Sequence, residues 1–186
     1  MDDVGFRFEG EDVVHRGHVL TLVQASFRGP GGEPFRRDIV RAPGAVAVVP
    51  VVHGDDGPEV VVVRQYRPAL DTWLVEIPAG LRDVDGEDPL RTAERELAEE
   101  VGLRAAAFEL LTVFVNAAGM SDQRTHVYLA TGLEQVPSDL QGVEEAYLVV
   151  ERVALREIDC LIASGAVVDA KTVIGLTLAA RRLGVL

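Results

Sequence analysis

An α/β fold, in which a mixed sheet carries helices on its faces and a small β-segment precedes it, is what this sequence predicts. Three observations lead there. Valine-rich runs broken by turn residues recur through the first part of the chain. One segment carries both a helix-start and a helix-stop signal, and a second helical run closes the chain. Strand candidates outnumber helix candidates and the two interleave, the pattern of a sheet covered by helices. The 186 residues suffice to bury a hydrophobic core without disulfides or a structural metal. We divide them into an N-terminal β-segment, 1–42, and a main domain, 43–186.

Residues 19–26 and 35–41 are extended runs on either side of Gly29-Pro30-Gly31-Gly32, a hairpin with a glycine-rich connection. Residues 44–52 and 59–65 are valine-rich and flank the polar turn His53-Gly54-Asp55-Asp56-Gly57-Pro58. Strands so uniformly apolar need cover on both faces. A short strand at 73–77 runs into Pro78-Ala79-Gly80. The helix at 89–101 has Asp88 at its N-cap, Pro89 in its first position and Gly102 just past its end. Strands follow at 110–116, 125–131 and 146–150, then helices at 155–163 and, capped by Asp169, at 170–182.

A net charge of −12 argues against a protein that grips nucleic-acid phosphates. Lys171 is the only lysine among 18 basic residues. The opening Met1-Asp2-Asp3-Val4 has no basic flank before an apolar run, so no secretory leader is expected. The longest apolar stretches are too short to span a bilayer. Cys160 is the single cysteine; it reads as a small buried hydrophobe, and a reducing, cytoplasmic setting is expected. The four histidines are scattered without ligand spacing.

The chemistry gathers on the helix at 89–101. At 3.6 residues per turn, Leu90, Ala93, Leu97 and Val101 share one side, the core stripe. Glu96, Glu99 and Glu100 share a neighbouring arc, where each like-charged pair costs roughly a few tenths of a kcal/mol. Such a cluster is either a solvated acidic face or a cation site. Carboxylates at this spacing suit hard divalent ions, Mg²⁺ or Mn²⁺. Arg95 stands one turn before Glu99 and is placed to hold its carboxylate.

The longer pattern of Gly80, Glu87, Arg95-Glu96-Leu97, Glu99-Glu100 and Gly102-Leu103 resembles the Nudix box. One departure lies upstream, where Gly80 and Glu87 stand one residue further apart than the family usually has them. Gln65-Tyr66-Arg67, Trp73-Leu-Val-Glu-Ile-Pro-Ala-Gly80, Ala118-Gly119-Met120-Ser121-Asp122 and Asp169-Ala-Lys-Thr172 are similar to the ADP-ribose pyrophosphatase branch. The resemblance implies a Nudix-type α/β/α sandwich that hydrolyses a nucleoside diphosphate conjugate with divalent metal, most directly ADP-ribose to AMP and ribose 5-phosphate. It further implies a homodimer exchanging its N-terminal β-segment, with a small nucleotide as partner and neither nucleic acid nor membrane.

By the same resemblance Glu96, Glu99 and Glu100 are metal ligands together with the carbonyl of Ala79. Arg67 contacts substrate phosphate, with a strand-end surface arginine as the alternative. Arg36 and Arg37 resemble residues of the exchanged segment that reach the partner subunit's substrate, with solvated hairpin arginines as the alternative, and Gly119 is assigned to substrate. Arg95, Glu99, Asp122 and Glu145 are the candidate catalytic groups. Trp73 is expected to pack under the Pro78 turn rather than stack on a base. The main departure is Gln123, where the branch carries a glutamate. Glutamine cannot accept a proton as a base, so the duty falls to Asp122, Glu99, Glu144 or Glu145, or turnover of ADP-ribose is impaired. A Nudix hydrolase of another nucleotide and an impaired ADP-ribose-binding module are the alternatives.

Overall fold

Extended structure begins earlier than the sequence suggests. The computed structural model describes residues 5–140 and 142–186, so the opening on which the leader expectation rests lies outside the described residues. Strand β1 (Arg7–Arg16) precedes β2 (Thr21–Arg28) and β3 (Pro34–Arg41), and the three form an antiparallel sheet in that order. The β2–β3 turn closes with the Gly29 N–H donating to the Glu33 carbonyl at 2.9 Å, and Gly32 takes a positive φ of 87° that favours glycine. Val23 and Ala25 are buried, and Phe27 stacks on Phe35 with ring centroids 5.3 Å apart. These strands, together with Val115–Arg124, make one compact unit; Ala45–Phe114 and Thr125–Leu186 make a second. Within the first unit the Val40 N–H donates to the Met120 carbonyl at 2.8 Å, tying the 115–124 loop to β3.

The second unit is built on β4 (Ala45–Gly54), β5 (Gly57–Arg67), β6 (Thr72–Glu76), β7 (Ala79–Leu81), β8 (Leu103–Val115), β9 (Arg124–Gln135) and β10 (Val149–Ala154). Its helices are α1 (Pro89–Val101), the short α2 (Gly142–Glu145), α3 (Ile158–Ala163), preceded by a 3-10 turn at Leu155–Glu157, and α4 (Ala170–Arg182). The path across the sheet runs β10-β5-β4-β9-β8, with β6 added to β5 and β7 to β4. β4 pairs with β9 in parallel, whereas β10–β5, β4–β5, β4–β7 and β5–β6 are antiparallel, which makes the sheet mixed. Pro50 sits in the middle of β4, where a missing N–H is normally excluded. It falls in the interval between the Val48 N–H, which donates to the Pro78 carbonyl, and the first β5 partner at Val51.

The valine runs are covered on both faces, as their composition demands. Val46, Val48, Val61 and Val63 pack with Ala93, Leu97 and Val101 of α1, while Val49, Val51, Val60 and Val62 pack with Leu155, Ile158, Leu176 and Ala179 on the other face. Helix, sheet and helix form the expected three layers. α4 approaches the sheet through Gly175, where a Cβ would lie 2.7 Å from Ile77 Cδ1 and 3.0 Å from Val49 Cγ2.

Some boundaries move. β8 starts seven residues before the expected strand, β10 lies three residues later than expected, and the expected helix at 155–163 opens with a 3-10 turn. Cys160 is exposed rather than buried, because α3 turns Ile158 and Ile162 inward and Cys160 lies off that face. Trp73 is 47% exposed and meets Tyr66 edge-on, so the expected packing under the Pro78 turn is not formed. Register explains why it does not face the chemistry either: it lies opposite Tyr66, on the other side of β6 from the residues opposite Gln65 and Arg67.

Candidate active site

α1 forms with the predicted caps. The Asp88 carboxylate accepts the Leu90 N–H at 2.8 Å, and Gly102 ends the helix at φ 62° with its N–H on the Ala98 carbonyl at 3.0 Å. Ala93, Leu97 and Val101 anchor it to the sheet, and this rotation carries Glu96 and Glu100 inward beside them, 8% and 5% exposed. The acidic arc is therefore no solvated face. The loop before the helix makes a turn closed by the Glu87 N–H on the Val84 carbonyl at 3.1 Å, with Gly86 at φ 76°.

β7 runs beside β4 under α1. The Ala79 N–H donates to Glu100 Oε2 at 2.9 Å, and a Cβ on Gly80 would stand 1.9 Å from the Glu96 carboxyl carbon. Arg95 joins the arc: its Nη1 lies 2.8 Å from Glu96 Oε1 and 3.0 Å from Glu99 Oε2, and its Nη2 is 3.3 Å from Asp83 and 3.6 Å from Glu87. A cleft of about 300 Å³ opens here, lined by Ala79, Gly80, Arg95, Glu96, Glu99 and Glu100, and on its other side by Gln65, Arg67 and Glu145.

Burial drives Glu96 up to about 7; Arg95 opposes this, while Glu99 and Glu145 add to it. Burial likewise drives Glu100 up to about 8, against the hydrogen bond from Ala79 and with the help of Glu96 and Glu145. Two carboxylates held in this way carry a standing electrostatic cost that a cation relieves. Among the described residues no three acidic, histidine or cysteine side chains are gathered into a ready-made cage. Arg95 engages Glu96 and Glu99, and the Ala79 N–H engages Glu100. The all-oxygen donor set and the clearance at Gly80 nevertheless fit a hard divalent ion.

Arg67 reaches the cleft from the end of β5. Its Nε and Nη2 form a fork on the Glu76 carboxylate at 2.7 and 2.6 Å, and Lys171 from the start of α4 bonds the same carboxylate. Glu76 is 1% exposed. Sequence reasoning passed over Glu76 and Lys171; the signal available was the isolation of the one lysine.

The other predicted residues lie in the first unit. Arg37 and Gly119 line a cavity of about 440 Å³ with Phe6, Phe27, Phe35 and Arg41, and the Arg37 guanidinium lies 5.0 Å from the Phe35 ring centroid. Asp122 is bonded to Arg41 Nη1 at 3.0 Å and to the Ala42 N–H at 3.3 Å. Gln123 donates to the Pro43 carbonyl at 3.1 Å and accepts from Asn116 Nδ2 at 2.8 Å. The Glu144 side chain lies outside what the structure describes.

A family model described as the NUDIX domain matches residues 42–173. The chain belongs to the Nudix family. This Nudix hydrolase is 36% identical over 176 residues to the ADP-ribose pyrophosphatase of Mycobacterium tuberculosis, covering 95% of this chain and 84% of that protein. It is 36% identical over 162 residues to the ADP-ribose pyrophosphatase of Bacillus subtilis, covering 87% and 85%. A crystal structure of an ADP compounds hydrolase superposes with a TM-score of 0.82 at 25% identity, covering 96% of this chain and 94% of that one. Nudix hydrolases generally use divalent metals. Among the described residues no helix is long and apolar enough to cross a membrane.

Proposed function

We propose that this Nudix hydrolase cleaves the diphosphate of a nucleoside diphosphate conjugate, ADP-ribose before others, to AMP and ribose 5-phosphate, with Mg²⁺ or Mn²⁺ as its cofactor. The observation that carries the reading is the cleft in which two buried glutamates face an arginine. Such a pairing suits a substrate that arrives as an anion accompanied by a cation. Both pyrophosphatase relatives support ADP-ribose as the first candidate. Glu96, Glu99, Glu100 and the Ala79 carbonyl would hold the metal, which when bound lowers the pKa of water and neutralises phosphoryl charge.

The protein's own groups do the rest. Arg67 binds and orients the diphosphate, and Arg95 fixes Glu96 and Glu99. Glu145 lines the cleft and takes the proton of the attacking water as the new P–O bond forms and the bridging P–O bond breaks. Asp122 and Gln123 serve loop structure instead, which supports a relocated base. Within the first unit, Arg37, Gly119 and the phenylalanines line a cavity that suits an aromatic, anionic ligand. Exposed Phe6, Phe8, Val13, Val14, Val19 and Leu20 support a homodimer formed through the β-segment. A cytoplasmic setting completes the reading.

The test is a panel of nucleoside diphosphate conjugates incubated with Mg²⁺, the products resolved by phosphorus NMR. AMP and ribose 5-phosphate from ADP-ribose are expected. Cleavage only of other conjugates moves the substrate, and binding of ADP-ribose without cleavage makes the protein a binding module.

A further inference from the structure

The one lysine of this chain lies 95 residues from the glutamate it bonds. Its side chain is 15% exposed, and its second partner is Asp169, 3.1 Å away. Asp169 is itself fixed as the cap of α4: its carboxylate accepts the Thr172 N–H at 3.0 Å and the Thr172 hydroxyl at 2.6 Å. The same hydroxyl oxygen accepts the Ile77 N–H at 3.0 Å, one residue from Glu76. The start of α4 is thereby tied to the end of β6 by a closed set of short bonds.

Glu76 is the point where this set meets the cleft. Lys171 and Arg67 Nη2 both bond Oε2, while Arg67 Nε bonds Oε1. Burial pushes the Glu76 carboxyl up, but the bonds from Arg67 and the charges of Lys171 and Arg67 outweigh it and hold the group below its ordinary value. The carboxylate is thus a fixed anion shared between two cations. Lys171 balances the second carboxylate of this set, Asp169; without it Glu76 and Asp169 would both act on Arg67 and offset its charge more fully. The fork on Nε and Nη2 leaves Arg67 Nη1 outside the pair. Arginine in place of Lys171 would keep the positive charge and an N–H donor for Oε2, which makes it the conservative replacement.

We propose that Lys171 is a positioning residue for substrate binding: through Glu76 it sets both the orientation of Arg67 and the positive charge Arg67 offers to a diphosphate. This rests on the reading above, in which Arg67 contacts the substrate diphosphate. Lys171 itself touches no reacting atom.

The test is a double-mutant cycle with Lys171→Met, Arg67→Ala and the pair, with Lys171→Arg as the conservative variant. Two readouts run in parallel: KM and kcat for ADP-ribose with Mg²⁺, and calorimetric Kd for inorganic pyrophosphate in chelator. Lys171→Met is expected to raise KM and the pyrophosphate Kd roughly tenfold, with kcat within about threefold. Lys171→Arg should recover most of the loss, and Lys171→Met should add nothing on the Arg67→Ala background. Unchanged KM and Kd in Lys171→Met, or an equal effect with Arg67 already removed, overturns the proposal. If Lys171→Met does not fold, Lys171→Gln takes its place in the cycle. Should the wild type cleave no conjugate while the pyrophosphate cycle behaves as stated, the pyrophosphatase reading fails and the role of Lys171 stands. Cleavage with no coupling between Lys171 and Arg67 in either readout has the opposite meaning.

Discussion

Replacing Glu100 by glutamine should stabilise the protein at high pH while disabling it. The Glu100 carboxyl is 5% exposed and is pushed from 4.5 to about 8. A carboxyl raised in this way leaves stability whole below its unfolded value and erodes it as pH climbs through the folded one. For Glu100 alone the loss between pH 5.5 and pH 9 comes to about 3 kcal/mol. Glutamine carries no charge to desolvate and keeps an oxygen for the Ala79 N–H, 2.9 Å from the present carboxylate. Its buried amide costs about 1–2 kcal/mol at either pH. Urea unfolding in chelator should therefore show the variant at or slightly below wild type at pH 5.5 and about 2 kcal/mol above it at pH 9. Added Mg²⁺ should stabilise the wild type more than the variant, and turnover of the variant should fall by orders of magnitude. A stability difference that does not change with pH would refute the reasoning, because the burial of an ionised Glu100 would then carry no cost.

Gln123→Glu loses the donor to the Pro43 carbonyl, so it should cost about 1 kcal/mol in thermal or urea unfolding without raising kcat, whereas Glu145→Gln should collapse kcat. Gly80→Ala places a Cβ 1.9 Å from the Glu96 carboxyl carbon; loss of activity with a folded circular-dichroism spectrum is expected. Gly175→Ala, with its Cβ 2.7 Å from Ile77, should lower stability by about 1–3 kcal/mol in urea titration and leave KM nearly unchanged. Sedimentation at micromolar concentration should find a dimer, and Val19→Asp with Leu20→Asp should shift it towards monomer.

What was legible in the sequence is what neighbours in the chain decide. α1 was readable to the residue because Asp88, Pro89 and Gly102 each act within one turn. The valine strands announced two covered faces because alternation along each strand sends residues to opposite sides. β1 was missed because Arg7–Arg16 mixes charge and glycine and carries two bulges, which break the two-residue period. β7 is only three residues long, Ala79–Leu81, too short to show a period, and becomes a strand beside β4. The Arg41–Asp122 and Lys171–Glu76 bonds join residues 81 and 95 positions apart, and no local pattern encodes them. Cys160 went wrong for a related reason: a short helix shows too few turns to fix which face is inward.

The parallel pairing of β4 with β9 has a consequence for how the chain comes into being. Ala45 pairs with Thr125, so β4 waits for eighty further residues before that edge is closed. β5, β7 and α1 all leave the ribosome in the interval. During it the valines of β4 and β5 are an uncharged, strand-forming surface with a row of unpaired backbone groups, a composition prone to self-association. Loop closure over that distance is slow relative to local hairpin formation. The interior that makes the finished sheet stable is thus the most aggregation-prone part of the nascent chain, and the arrival of β9 ends the exposure. Yield of folded protein on refolding should accordingly fall as protein concentration rises.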